Sequence, residues 1–207
     1  ASVKEKLNKN SLKGLKISIQ GLGHVGSHLV SYLYKDGAEL YITDIDKNRV
    51  DFILNKYDCT YVKPENIILQ DVDIYAPCAL GATVNSETIP QLKCKIIAGA
   101  ANNILHDPLK NSNLLEKNNI LYAPDYVINA GGLINVANEL EGYDKEKAFN
   151  SAEKIYDTLM GIFKRAKKES ITTHSAAALQ AEDRIKKIAT LKSFYLPYKK
   201  TFKIRND

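Results

Sequence analysis

Two periods alternate along the chain. Short apolar runs, the pattern of buried strands, fall at Leu15 to Gln20, Leu40 to Thr43, Val72 to Ala76, Lys95 to Ala98 and Ile120 to Tyr122, with a weaker one at Cys59 to Val62. Between them apolar residues recur at spacings of three and four. Val25, Leu29, Val30 and Leu33 mark a helix over His24 to Lys35, and Val50, Ile53 and Leu54 mark one over Lys47 to Lys56. Asp107-Pro108 opens another that runs to Lys117, and Val3 and Leu7 predict a short helix before the first strand. Asp36-Gly37 stops the first long helix, Pro64 opens a turn through Ile68, and Pro77 cuts off the run at Val72. Regular alternation of strand and helix predicts an α/β domain, a doubly wound, mostly parallel sheet covered on both faces. Ligands of such sheets sit beyond the carboxyl ends of the strands. The loops at 21–26, 77–82 and 99–103 are therefore expected to converge on one edge.

Beyond the last strand the pattern changes. Ala123 to Gly132 sets a proline and a paired glycine around the amide Asn129, and Leu133 to Leu140 reads as helical. Asn135 and Asn138 fall on a different face of it from Leu133, Val136 and Leu140, which suits a pocket with one amide and several apolar walls. From Asp144 to Lys168 the helical period is strong, through Ala148, Ala152, Ile155, Tyr156, Leu159, Ile162, Phe163 and Ala166. Ser175 is the expected cap of a last helix, Ala176 to Leu191. Residues 193–207 have no clear period and read as a tail. The expected organisation is a dinucleotide-binding domain over 11–143, a helical segment over 144–192 that packs on it or on a partner domain, and the tail.

Composition narrows the function. The 207 residues are 44% hydrophobic and 26% charged, ordinary for a globular protein, with a formal charge of +5. The lysines are spread along helical faces beside glutamates, without interleaved aromatics, so no nucleic-acid partner is expected. No apolar run has the length of a membrane span, and ASVKEKLNKN lacks the apolar core of a secretory signal, so the expected location is cytoplasmic. Cys59, Cys78 and Cys94 are odd in number and widely spaced, the pattern of reduced, mostly buried thiols. His24 and His28 share an i,i+4 spacing without a third ligand nearby, so no metal site is expected.

The chemistry starts at KISIQGLGHVG, Lys16 to Gly26. Gly21 permits a tight turn, Gly23 lets the backbone approach a pyrophosphate, and Gly26 lets helix and strand pack closely. The N-terminus of the following helix offers free N–H groups and the positive end of its dipole. Asp44, about 20 residues on at the end of the second strand, has the spacing of the acid that holds a ribose diol. With no arginine beside Asp44 in the chain and a second acid at Asp46, a 2′-phosphate would be repelled, which favours NAD over NADP. A methyltransferase fits this glycine spacing and the later pocket segment less well.

Longer stretches carry a resemblance. KISIQGLGHVG with TDID, DIYAPCALGATVN, IPQLKCKIIAGAANN and LYAPDYVINAGGLINVANE have the order and spacing found in the leucine, phenylalanine and valine dehydrogenases, and most resemble the nicotinamide-binding half of leucine dehydrogenases, a Rossmann-type domain. The likeness covers residues 11 to about 190. It implies that Gly21, Leu22, Gly23, His24, Val25 and Gly26 form the pyrophosphate turn, that Asp44 holds the adenosine ribose, and that Ile45 lies beside the adenine. Cys78, Ala79 and Leu80 match the segment that passes the cofactor, Ala101 and Asn103 the loop near the nicotinamide ribose, and Asn129, Gly131 and Gly132 the segment closing over the reacting centre. Leu133 and Val136 match the apolar wall for the amino-acid side chain. Leucine dehydrogenases tend to carry valine at the first of these positions, so Leu133 implies a slightly smaller pocket.

The resemblance further implies an NAD-dependent oxidative deamination of a branched-chain L-amino acid, leucine, valine or isoleucine, to the 2-oxo acid, ammonia and NADH. In the family the substrate-binding lysine, the water-activating lysine and the proton-shuttling acid come from an N-terminal domain with a lysine-containing, glycine-rich segment. These 207 residues hold no such segment, so no catalytic residue is assigned here and the chain is expected to be inactive alone. The expected partners are that N-terminal domain, a small amino-acid substrate and further copies in a homo-oligomer. The alternative is a stand-alone regulatory NAD-binding module, of the kind attached to ion channels, although such modules have no use for APDYVINAGG.

Overall fold

The computed structural model describes residues 1–140 and 142–193, and the expected tail lies outside them apart from Ser193. Six strands, β1 (Lys16–Gln20), β2 (Glu39–Thr43), β3 (Thr60–Tyr61), β4 (Ile74–Pro77), β5 (Ile96–Ile97) and β6 (Leu121–Tyr122), form one parallel sheet. Its order is β3-β2-β1-β4-β5-β6. The chain builds outward from β1 to one side and then returns to build outward from β4 on the other. The order therefore reverses between β1 and β4, and the crevice beyond their carboxyl ends is where such sheets take ligands.

Alternation along each strand sends neighbouring residues to opposite faces. Ile17, Ile19, Leu40, Ile42, Ile74 and Ile96 pack on one face against Val30 of α2 (His24–Lys35) and Val50 and Ile53 of α3 (Lys47–Leu54), with Val3 and Leu7 of α1 (Ser2–Leu7) at the margin. Tyr75, Ile97 and Tyr122 turn to the other face and meet Leu115 of α4 (Pro108–Lys117), with Ile67 of the 3-10 turn Pro64–Leu69 also fully buried. Both faces are covered, as the strand–helix alternation predicts. Pro77 differs from expectation: it is the last residue of β4, paired with Gln20, rather than a residue beyond the strand. Its missing N–H does no harm there, because the next amide, Cys78 N, donates to Gln20 O at 2.7 Å.

Past β6 come α5 (Asp125–Ile128), α6 (Gly131–Glu139), α7 (Lys145–Glu169) and α8 (Thr173–Ser193). Leu159, Ile162, Phe163 and Ala166 of α7 bury against Ala123 and against Ala176 and Ala177 of α8, a third core beside the β5–β6 end of the sheet. Asp144 caps α7 by accepting from Glu146 N at 2.9 Å and Lys147 N at 3.1 Å. For α8 the expected cap at Ser175 is wrong: the helix starts earlier, and Thr172 Oγ1 accepts from Ser175 N at 3.1 Å. Tyr156, assigned by its spacing to the apolar stripe of α7, is half exposed. Among the described residues no helix is long and apolar enough to cross a membrane.

Candidate functional site

The glycine turn is shaped by contacts that a side chain would destroy. Gly21, at φ 102, lies in the region that favours glycine, and its amide donates to Thr43 O at 2.9 Å, which fixes the end of β1 to the end of β2. A Cβ on Gly21 would stand 2.8 Å from Ala79 N, and one on Gly26 only 2.0 Å from Gly21 O. Gly23 is different, because the nearest atom to a Cβ there is Arg49 Nη1 at 3.8 Å. The space over Gly23 is thus left open. Gly23 is also the N-cap of α2, and no side chain caps that end, so the first amides of the helix face outward without a protein acceptor from a cap.

Asp44 is tied to this turn. Its Oδ2 accepts from Leu22 N at 2.6 Å and its Oδ1 from Asp46 N at 2.9 Å, while the next acid, Asp46, caps α3 by accepting from Asn48 N. Only 5% of the Asp44 side chain is exposed. Ile45 beside it is 94% exposed, an apolar surface next to the acid with no cover from the protein. The chain neighbours of Asp44 include no arginine, but the structure brings one in: Arg49 Nη1 lies 3.7 Å from Asp44 Oδ2, and Arg49 Nε 3.4 Å from Asp46 Oδ2. The expectation of an acid with no arginine beside it is therefore wrong in space, although right in the chain.

The loop after β4 closes on the turn through Cys78 and Ala79, and the loop after β5 closes on the loop after β4. Ala101 N donates to Pro77 O at 3.0 Å, Ala82 N to Asn103 O at 2.7 Å, and Val84 and Leu105 form a parallel bridge. A Cβ on Gly81 would meet Asn102 O at 2.5 Å, and one on Gly99 would meet Pro77 O at 2.1 Å, so both positions require glycine for close packing. Behind the loops Tyr75 donates to Gln20, and burial pushes the Tyr75 hydroxyl up to about 12, which keeps it a donor. Burial likewise raises the Cys78 thiol. Ala79 and Leu80 are exposed on the loop, and Asn103 takes a left-handed conformation at φ 53. Ala101 is buried, and its amide donates to Pro77 O, which ties the loop after β5 to the end of β4.

Asn129 reaches the same edge, donating from Nδ2 to Asn102 Oδ1 at 2.6 Å. Sequence reasoning passed over Asn102, Gly81, Gly99 and Arg49. The first three lie within the loops at 77–82 and 99–103, which the strand–helix alternation brings to this edge. Beneath them Asp125 is buried and accepts from Ile104 N and Tyr126 N, each at 2.7 Å.

The expected apolar pocket does not close within the described residues. Gly131 and Gly132 begin α6 rather than precede it, and nothing lies within 4 Å of a Cβ on either. Leu133 and Val136, the proposed wall, are 74% and 55% exposed, whereas Asn138 is buried and donates to Asp144 O. Val25, placed by its spacing on the core side of α2, also faces outward. A cavity of about 500 Å³ between α1, α2 and the sheet includes none of the site residues. The candidate site is an open shelf over the carboxyl ends of β1, β2, β4 and β5.

Sheet order, glycine turn and acid define a dinucleotide-binding α/β domain. The model of the glutamate/leucine/phenylalanine/valine dehydrogenases matches residues 40–194, and the chain belongs to that family. It is 49% identical over 185 residues to an L-tryptophan dehydrogenase of Nostoc punctiforme, covering 89% of this chain and 52% of the relative. With a leucine dehydrogenase of Bacillus cereus the identity is 46% over 196 residues, covering 95% and 53%, and with a phenylalanine dehydrogenase of Lysinibacillus sphaericus it is 43% over 191 residues, covering 90% and 50%. The crystal structure of the Nostoc punctiforme L-tryptophan dehydrogenase superposes with a TM-score of 0.88 over 89% of this chain and 56% of that one. A hetero-hexameric glutamate dehydrogenase of Thermus thermophilus, 17% identical over 92% of this chain and 50% of that one, shares the fold at a TM-score of 0.70. The chain spans about half the length of the curated relatives it matches. The family is one of NAD(P)-dependent amino-acid dehydrogenases, and its leucine dehydrogenases, which this chain resembles, use NAD. The open space over Gly23, the uncapped start of α2 and the anchored Asp44 fit a dinucleotide.

Proposed function

We propose that these residues are the NAD-binding half of an amino-acid dehydrogenase that oxidatively deaminates a branched-chain L-amino acid to the 2-oxo acid and ammonia. One observation carries the reading: the loop after β4 packs on Gly21 and Gly26, and Asp44 is hydrogen-bonded into the same turn. When bound, NAD supplies the acceptor for the hydride that leaves the substrate Cα. This chain's residues do the holding. The amides after Gly23 face a pyrophosphate, and Asp44, with lone pairs beyond those used by Leu22 N and Asp46 N, accepts from a ribose diol. Asn129, fixed by Asn102, stands at the nicotinamide end, and Leu133 and Val136 present an apolar surface to the substrate side chain.

Carboxylate binding and proton transfer are assigned to residues outside these 207, in the part of the family's length that they do not span. A fusion of this chain behind the N-terminal half of the Bacillus cereus leucine dehydrogenase is expected to form NADH with leucine, valine or isoleucine, whereas the chain alone forms none. Activity confined to tryptophan or phenylalanine would remove the branched-chain assignment. A folded fusion that binds NADH yet oxidises no amino acid would remove the catalytic reading altogether.

Asp44→Ala in the chain alone is expected to weaken NADH binding about tenfold to a hundredfold, through loss of charge-assisted hydrogen bonds. An unchanged Kd would mean that Asp44 serves the turn only. Leu133, Val136, Leu140, Tyr143 and Phe149 leave an apolar surface uncovered on α6 and the start of α7. That surface supports association with the other domain or with another copy, so sedimentation is expected to show self-association as concentration rises. A monomer throughout the range would count against it.

A further inference from the structure

Arg49 stands where two parts of the dinucleotide site meet. It is carried by α3, whose cap, Asp46, lies two residues beyond the ribose acid Asp44. Its Nη1 is 3.7 Å from Asp44 Oδ2 on one side and 3.8 Å from the position of a Cβ on Gly23 on the other. The guanidinium therefore covers the gap between the acid and the glycine that a pyrophosphate approaches.

Its present contacts are loose. Charge-assisted N–H···O bonds are about 2.7–2.9 Å long, whereas Arg49 reaches its two carboxylates at 3.7 and 3.4 Å. Half of the side chain is exposed. A guanidinium has five N–H donors arranged in a rigid fork that matches a phosphate. The two carboxylates, by contrast, are already engaged by the backbone: Asp44 by Leu22 N and Asp46 N, Asp46 by Asn48 N. Each of those bonds draws off part of the negative charge that would repel a phosphate. Arg49 also cancels one of the two acidic charges, so the pair that argued from the chain against a 2′-phosphate is offset in space. In dinucleotide domains an arginine near the ribose acid is what accommodates a 2′-phosphate.

On the assignment of the glycine turn as the dinucleotide site, we propose that Arg49 is a specificity-determining residue that widens cofactor choice. It binds the 2′-phosphate, so the chain takes NADP(H) as well as NAD(H).

The test is calorimetric titration of the full chain and of Arg49→Ala with NADH and with NADPH, alongside circular dichroism to show that both proteins are folded. The quantity read is the ratio of the two dissociation constants. Loss of one charged hydrogen-bond partner from a single ligand is worth about tenfold. Arg49→Ala is therefore expected to shift the ratio toward NADH by about tenfold or more, with partial return in Arg49→Lys. A smaller shift overturns the proposal, including the case in which both ligands weaken together, which would assign Arg49 to the shared pyrophosphate. Failure of the folded, unsubstituted chain to bind NADH at all is a separate result, and it overturns the assignment of the turn itself.

Discussion

Gly23→Ala is expected to leave the fold standing and to weaken NADH binding about a hundredfold or more. A Cβ at this position meets no protein atom closer than 3.8 Å, and the backbone, at φ −64 and ψ −166, accepts any residue. The methyl group instead fills the space through which a pyrophosphate would reach the amides of α2. Stability should fall by about 1 kcal/mol or less, the difference between glycine and alanine at an N-cap. Gly26→Ala is the contrasting change. Its Cβ would lie 2.0 Å from Gly21 O, a contact between backbone segments with no flexible end to move, so a loss of about 3 kcal/mol or more is expected. Thermal melts and NADH titration of the two variants separate the effects. Equal loss of stability in both would contradict the assignment of Gly23 to the ligand rather than to packing.

Asp125→Ala should be among the most destabilising single changes near the site. Asp125 is buried, and its two oxygens satisfy Ile104 N, which follows the loop at 99–103, and Tyr126 N at the start of α5. Removing the carboxylate strands both amides, at a cost of about 2–4 kcal/mol. Asp125→Asn keeps one acceptor and should cost about half as much. Ile104 also receives Val84 N at its carbonyl, so loosening it disturbs the contact between the loops after β4 and β5. Urea denaturation of the three proteins gives the comparison directly. A loss below about 0.5 kcal/mol in Asp125→Ala would show that water replaces the carboxylate without consequence.

Most of the framework was legible because its signals are local. Ile17 and Ile19 alternate with Ser18, Gly37 follows the end of α2 at φ 78, and Asp107 accepts from Lys110 N at the start of α4 just where Asp-Pro marks it. The glycines of the turn were legible for the same reason. What escaped depends on three-dimensional neighbours. Arg49 reaches Asp44 only because α3 turns it back over the end of β2, and chain adjacency carries no trace of that. Helical spacing in α6 separated Leu133 and Val136 from Asn138 correctly, yet a stripe does not say which side is covered, and here the amide is the buried one. Thr172 and Ser175 are both hydroxyl residues near one helix start, and the cap went to the residue that the backbone placed first.

The central claim is that the shelf around Gly21, Gly23 and Asp44 holds NAD. Its most direct measurement is titration of the folded chain with NADH, followed by nicotinamide fluorescence and repeated on Gly23→Ala. Saturable binding at one site per chain, lost in the variant while its melt is retained, is the result expected. Absence of binding by the folded chain, or binding that Gly23→Ala leaves intact, would contradict it.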